Sequence, residues 1–232
     1  MDVPLLFTAL LYGLLPILVW LIFWLLEDRA HPEPKRLIVR ALLAGMLAVP
    51  LSISIEMWIE QYVGQGFTQT LLWSLTEEVM KYTLAYILVL RSREVNEALD
   101  PLIYMICAAL GFAALENTLY VLEPLMSTEH LGAANLTTMR FVGATLVHVL
   151  SSATVGVYMA FSFYQNQFKK SLALISGLIL ATCLHALFNF FIISVSLEAV
   201  FIVFAAVWII ALGLILIAER IKKMDAYYTA RF

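Results

Sequence analysis

The stretch QTLLWSLTEEVMKYTLAYILVL (residues 69–90) is long enough to cross the hydrocarbon core of a bilayer as one helix, yet Glu77, Glu78 and Lys81 sit inside it. Charge at that depth costs about 2.5–3.5 kcal/mol per group on insertion scales, so these residues need partners or water. Outside this stretch the chain is apolar far beyond the needs of one core. Of its 232 residues, 62% are hydrophobic and 13% charged, with a mean hydropathy of +0.91. A soluble domain is about half apolar and about a quarter charged. The apolar residues come in runs of about twenty, the signature of a multispanning helical membrane protein.

The fold class expected is therefore all-α, a polytopic membrane helical bundle of about seven transmembrane helices, with six to eight possible. The spans run roughly over 3–26, 38–59, 70–90, 101–122, 139–164, 172–195 and 198–218. The weakest junction is SVSLE (194–198), where very little chain separates two spans. The first span does not read as a cleaved signal peptide, since it lacks a basic leader and its apolar run is too long. No internal repeat or low-complexity tract appears, so residues 1–232 read as a single integral-membrane domain. Its core motifs lie in 77–189, and a cytoplasmic tail starts at about 219.

Basic residues set the orientation. Arg29, Lys35, Arg36 and Arg40 mark the first loop, Arg91 and Arg93 the third, and Lys169 and Lys170 the fifth. Arg220, Lys222, Lys223 and Arg231 mark the tail, so twelve of the fourteen basic residues fall on one side. This predicts a multi-pass cell-membrane protein with its N-terminus outside and its C-terminus cytoplasmic. Trp58 and Trp73 flank the second loop as interfacial anchors. Arg140 is read as snorkelling to the outer interface, with guarding the cavity mouth as the alternative, and Glu56 and Glu60 as interfacial, with Glu56 lining the cavity as the alternative. Pro32 and Pro34 make the first loop a rigid turn. Cys107 and Cys183 lack metal or redox spacing and read as core residues.

On this topology the buried polar groups fall at one depth. Glu77, Glu78 and Lys81 on span three, Glu116, Asn117 and Tyr120 on span four, His148, Ser151 and Ser152 on span five, and His185 and Asn189 on span six all lie roughly 5–16 Å below the outer surface. Lys81 is i+4 from Glu77 and i+3 from Glu78, within reach of either carboxylate. Phe112, Glu116 and Tyr120 form one stripe, and His148/Ser152 and His185/Asn189 are each i,i+4 pairs. Asn117 or Ser151 alone would read as interhelical glue. Three glutamates and two histidines at one depth read as a functional site.

Those groups suit hydrolysis. Glu77 or Glu78 can take a proton from water, with Glu116, His148, His185 and Asn189 completing the catalytic set and Lys81, Asn117, Tyr120 and Ser152 supporting it. No cofactor is expected; the alternative is zinc held by His148, His185 and Glu116. There is no HExxH motif, which excludes a zincin site, and Ser151 and Ser152 lack a GxSxG context. The rival readings are a proton- or ion-coupled transporter and a catalytically inactive scaffold. Against transport, no Gly/Pro-broken helix pair or inverted repeat is present.

The motifs EEVMK (77–81), ENTLY (116–120), HVLSS (148–152) and HALFN (185–189), with the loop EDRAHPEPKR (27–36), resemble the PrsW-type intramembrane proteases, relatives of the CAAX-prenyl-protease and bacteriocin-processing family. The resemblance covers about residues 20–190. It implies a bacterial cytoplasmic-membrane endopeptidase that cleaves single-span membrane proteins, such as anti-sigma factors, near the outer face during envelope stress. It makes Glu77 or Glu78 the water-activating base and Lys81 the residue that holds the pair in register. Expected partners are the lipid bilayer and a single-span substrate, and not nucleic acid. Two departures stand out: Leu115 precedes Glu116 where the family often has Phe, and Lys81 and Glu116 stand where CAAX-type relatives carry Arg and His. Prenylated substrates are therefore not expected.

Overall fold

A computed structural model describes residues 3–27, 32–126, 143–194 and 197–229. Among these, seven α-helices follow one another: α1 (Val3–Glu27), α2 (Lys35–Tyr62), α3 (Phe67–Ala85), α4 (Asp100–Met126), α5 (Thr145–Phe161), α6 (Gln167–Ser194) and α7 (Leu197–Thr229). A wider π-helical turn, Tyr86–Leu90, extends α3. Helices are what a bilayer permits, because a spanning segment must satisfy its own backbone donors and acceptors. Seven crossings are expected from the sequence, and five of these helices (α1, α2, α4, α6 and α7) are long and apolar enough to be spans. The other two, α3 with 19 residues and three charges and α5 with 17 residues, carry Glu77, Glu78, Lys81, His148 and Ser152, most of the polar cluster.

The bundle is organised around α4, which packs against α1, α2 and α5. Its span is 83% buried, against 18% for that of α1, which faces outward along most of its length. Lipid tails are as apolar as leucine, so helices in a membrane are held by close packing rather than by hydrophobic burial. Small residues supply that closeness. A Cβ added at Gly45 of α2 would lie 1.8 Å from the Ala108 carbonyl oxygen on α4, and one at Gly111 of α4 would lie 1.9 Å from the Leu42 carbonyl oxygen on α2. The two backbones touch at both points. A second layer, α3, α5 and α6, packs edge to edge and against α2 and α4.

The end of the bundle rich in Arg and Lys is closed by polar ties. Asp100 opens α4 and accepts hydrogen bonds from the backbone N–H groups of Asn96 (2.7 Å) and Glu97 (2.9 Å). Glu33, between the two loop prolines, accepts a hydrogen bond from Tyr104, and Arg36 pairs with Glu94. The segment after 218, expected as a tail, continues α7 to Thr229 and docks. Asp225 is buried, accepts a hydrogen bond from the Ala98 N–H at 2.9 Å and another from the Tyr164 hydroxyl, while Tyr228 stacks on Tyr164.

Several smaller expectations meet their outcome here. Pro32–Pro34 is non-helical, and the Pro34 carbonyl starts α2 by accepting from Leu37 at 2.8 Å. Trp58 is exposed but Trp73 is turned half inward. Cys107 is buried in α4, whereas Cys183, expected in the core, faces outward from α6. Glu60 is exposed. Arg29, Arg140 and Arg231 lie outside the described residues.

Two measurements test this packing. Gly45→Val forces a side chain into the α4 backbone and should lower stability in detergent by about 1–3 kcal/mol or more, whereas Gly64→Ala, which meets open space, should change it by less than about 0.5 kcal/mol. Asp225→Ala leaves a buried N–H without its acceptor and should cost about 1–3 kcal/mol in the same thermal unfolding assay.

Candidate active site

Four helices deliver the polar cluster to one place. From α3 come Glu77, Glu78 and Lys81, from α4 Glu116, from α5 His148 and Ser152, and from α6 His185. Glu77 lies ten residues after the start of α3 at Phe67 and Glu116 ten before the end of α4 at Met126. That is about 15 Å along each helix from the same end of the bundle, opposite the end that carries Arg91, Arg93, Lys169 and Lys170.

The two adjacent glutamates have different surroundings. Glu78 is wholly buried and fully engaged. Its Oε1 accepts from Lys81 Nζ at 2.5 Å and faces His185 Nδ1 at 2.9 Å, while its Oε2 accepts from the Ser152 hydroxyl at 2.8 Å. Glu77 Oε2 is buried too, yet makes no hydrogen bond. It lies 3.6 Å from His148 Nδ1, 3.8 Å from His185 Nε2 and 4.0 Å from Lys81 Nζ.

The partners assign the His148 tautomer. An ammonium has only donors, and Lys81 Nζ is 3.2 Å from His148 Nδ1, so that nitrogen is an acceptor. His148 Nε2–H then donates to Glu116 Oε2 at 2.9 Å. His185 Nδ1 faces Glu78 Oε1 at 2.9 Å, and its Nε2 is directed toward Glu77 Oε2 at 3.8 Å. Each imidazole thus has one nitrogen held by a carboxylate and the other turned to Glu77 Oε2. The two rings meet edge to face at 4.8 Å. Phe112 closes the side, with the Lys81 ammonium 4.7 Å above its ring and His148 5.2 Å away.

The ligand atoms of Glu77, His148 and His185 lie within 4.8 Å of one another. One carboxylate and two imidazoles form a donor set of catalytic zinc. A carboxylate on the far nitrogen of each histidine is the usual outer support of such a site. The residues therefore fit a divalent metal. The zinc trio read from the sequence has Glu116 as its third member. In the structure Glu77 stands there, and Glu116 holds the opposite nitrogen of His148.

The remaining site residues separate. Asn117 is buried and donates to Thr145 Oγ1 at 3.0 Å, a tie between α4 and α5. Asn189, one turn beyond His185, is half-buried and makes no hydrogen bond to the cluster among the described residues. Tyr120 is 54% exposed, so the stripe from Phe112 through Glu116 leaves the interior at its third member. Ser151 is buried without a hydrogen-bond partner for its hydroxyl, away from Glu78. Glu56 of α2, read as interfacial, belongs nearer the site. It is half-buried, its Oε1 lacks a hydrogen bond, and its charge is felt by Glu77 while it feels Glu116 and Lys81. A glutamate inside the last turns of an apolar helix was the available signal, but only α2–α3 packing turns it inward.

No solved structure matches the chain. Curated relatives do. Protease PrsW of Clostridioides difficile (strain 630) is 25% identical over 78% of this chain and 77% of its own length. Protease PrsW of Bacillus subtilis (strain 168) is 26% identical over 82% and 85%, and Protease PrsW of Geobacillus kaustophilus (strain HTA426) 26% identical over 81% of each. A family model described as PrsW family intramembrane metalloprotease matches residues 33–215, a stretch that contains Glu56, Glu77, Glu78, Lys81, Glu116, His148, Ser152 and His185. The chain belongs to the PrsW family of intramembrane proteases.

Proposed function

We propose that the protein is an intramembrane endopeptidase whose reaction centre is the Glu77–His148–His185 trio, acting on a peptide bond of a single-span membrane protein of the anti-sigma-factor kind. The observation that carries this reading is the convergence of acceptors. A carboxylate oxygen and two imidazole nitrogens face one another with no hydrogen bond to that oxygen, a donor set that suits a cation. Among the described residues Lys81 is the one ammonium paired with Glu77 and Glu78, and it is already bound to Glu78. Glu77, His148 and His185 would hold a divalent metal, zinc by donor type, and it would supply Lewis acidity toward the scissile carbonyl and an activated water at neutral pH.

The chain's own residues do the positioning. Glu116 and Glu78 hold the far nitrogens of His148 and His185 and keep the facing nitrogens directed toward Glu77. Ser152 and Lys81 hold Glu78 in turn. Glu56 keeps a buried oxygen without a hydrogen bond and is not a member of the trio, so it is the carboxylate left to take the proton of the water and return it to the leaving amine. Peptide hydrolysis needs such a relay, whereas a transported ion needs an exit on both sides. The reaction would occur in the outer half of the bilayer, with the N-terminus outside and the C-terminus cytoplasmic. The basic loops at the far end of the bundle support that orientation.

Purified protein in liposomes, assayed on a panel of single-span reporters, tests the proposal. Glu77→Gln should reduce cleavage at least about a hundredfold with little change in thermal stability. Glu78→Gln should instead unfold at lower temperature, because it strands a buried Lys81 at about 3–5 kcal/mol. Full cleavage by Glu77→Gln would sink the assignment. Elemental analysis should find a divalent metal in the wild type and much less in a His148→Ala/His185→Ala variant, and a chelator should stop cleavage until zinc is restored. Chelator-resistant cleavage that still needs Glu77 would mean a metal-free glutamate protease. Ion flux without cleavage would mean a transporter.

A further inference from the structure

At the end of the bundle opposite the reaction centre lies a cavity of about 450 Å³, walled by the end of α3 and its π-helical turn, the start of α4, the end of α5 and the start of α6. Its volume is that of a small-ligand site, and its lining has two characters. Leu90, Val95, Met159 and Leu174 make apolar walls, while Tyr82, Tyr86, Gln167, Lys170 and Ser171 carry polar ends. No carboxylate lines it. The rings of Tyr82 and Tyr86 are stacked at 5.8 Å, and Tyr86 is 45% exposed, so the cavity reaches the outer surface of the bundle there.

One cation, Lys170, lines this cavity, and a second, Arg91, stands beside the wall residue Tyr86. The Lys170 ammonium is 5.5 Å from the ring of Phe163, another wall residue, and the Arg91 guanidinium is 6.0 Å from the ring of Tyr86. Among the described residues neither forms an ion pair. At this end Arg36 pairs with Glu94, and Lys222 with Glu219 at 2.8 Å, whereas Arg93 and Lys169 are also outside any ion pair among the described residues, so the location of Lys170 in the cavity wall is what distinguishes it. Unpaired cations, phenol hydroxyls and apolar walls at the end of the membrane-spanning helices have the chemistry of an anionic lipid headgroup joined to its first methylenes. A soluble phosphate would use the cations but leave the apolar walls unused.

We propose that this cavity binds an anionic phospholipid, with the phosphate at Lys170 and Arg91 and the glycerol and proximal chain along Leu90, Met159 and Leu174. The same three helices carry the reaction centre, since Tyr82 follows Lys81 on α3. The site therefore ties the α3–α5–α6 layer together at its far end. A lipid there bridges helices that otherwise part around a void.

Native mass spectrometry of the detergent-purified, delipidated full chain tests this, using phosphatidylglycerol and phosphatidylcholine with identical acyl chains. Wild type should retain one phosphatidylglycerol in preference to phosphatidylcholine. Lys170→Gln should lower phosphatidylglycerol retention about fivefold and leave phosphatidylcholine unchanged. Ser171→Phe, which fills the cavity, should abolish the preference, with folding of both variants checked by thermal unfolding. If Ser171→Phe does not fold, Lys170→Gln alone decides. Equal retention of the two lipids by wild type overturns the proposal, as does an unchanged preference in folded Lys170→Gln. Displacement of the lipid by inorganic phosphate at equal concentration assigns the site to a soluble anion and overturns it too.

Discussion

The Glu78–Lys81 contact, 2.5 Å long and wholly buried, is the constraint around which the second helix layer is arranged. A carboxylate withdrawn from water requires a donor for each lone pair it exposes, and an ammonium requires acceptors. Lys81 meets part of the demand from the same helix. The rest must come from elsewhere, and Ser152 of α5 and His185 of α6 supply it. Satisfying one carboxylate thus fixes the rotation of three helices. It also places His185 with its second nitrogen facing Glu77. The unsatisfied glutamate is the consequence of satisfying its neighbour so completely.

Packing then sets how close the helices come. The α2–α4 contact is backbone against backbone at Gly45 and Gly111. That approach puts Glu56 of α2 within electrostatic reach of Glu116 on α4 and Glu77 on α3. Small residues at the centre of the bundle and charged residues near its end are therefore parts of one arrangement, joined by distance.

The two ends of the bundle present different local chemistry. One holds an excess of carboxylates around two imidazoles, a setting that favours a cation and suits hydrolysis by activated water. At the other, the carboxylates Asp100 and Asp225 are turned to backbone N–H groups, and the cavity is lined by Lys170, which among the described residues forms no ion pair, a setting that favours an anion. Membership in the PrsW family matches the first, and the second is independent of it. Asp225 and Asp100 stabilise the second end by capping the loop between them, so the polar ties there are backbone-directed.

Much of this was legible in residue order. Continuous apolar runs of about twenty residues determine an all-helical membrane bundle, because a helix satisfies its backbone within one segment and barrel strands are shorter and alternate in polarity. Helical spacing with an alternating chain direction places Glu77, Glu116, His148 and His185 at one depth, and the motif order points to the family. Residue order could not distinguish Glu77 from Glu78, since adjacent positions differ by only a rotation of about 100° around the helix axis. Which of them is saturated depends on Ser152 and His185, more than seventy residues away in the chain. The inward turn of Glu56, the outward turn of Tyr120 and the docking of Asp225 are likewise invisible to local periodicity. Each depends on which neighbouring helix occupies the adjacent space, and that is decided only when the helices pack.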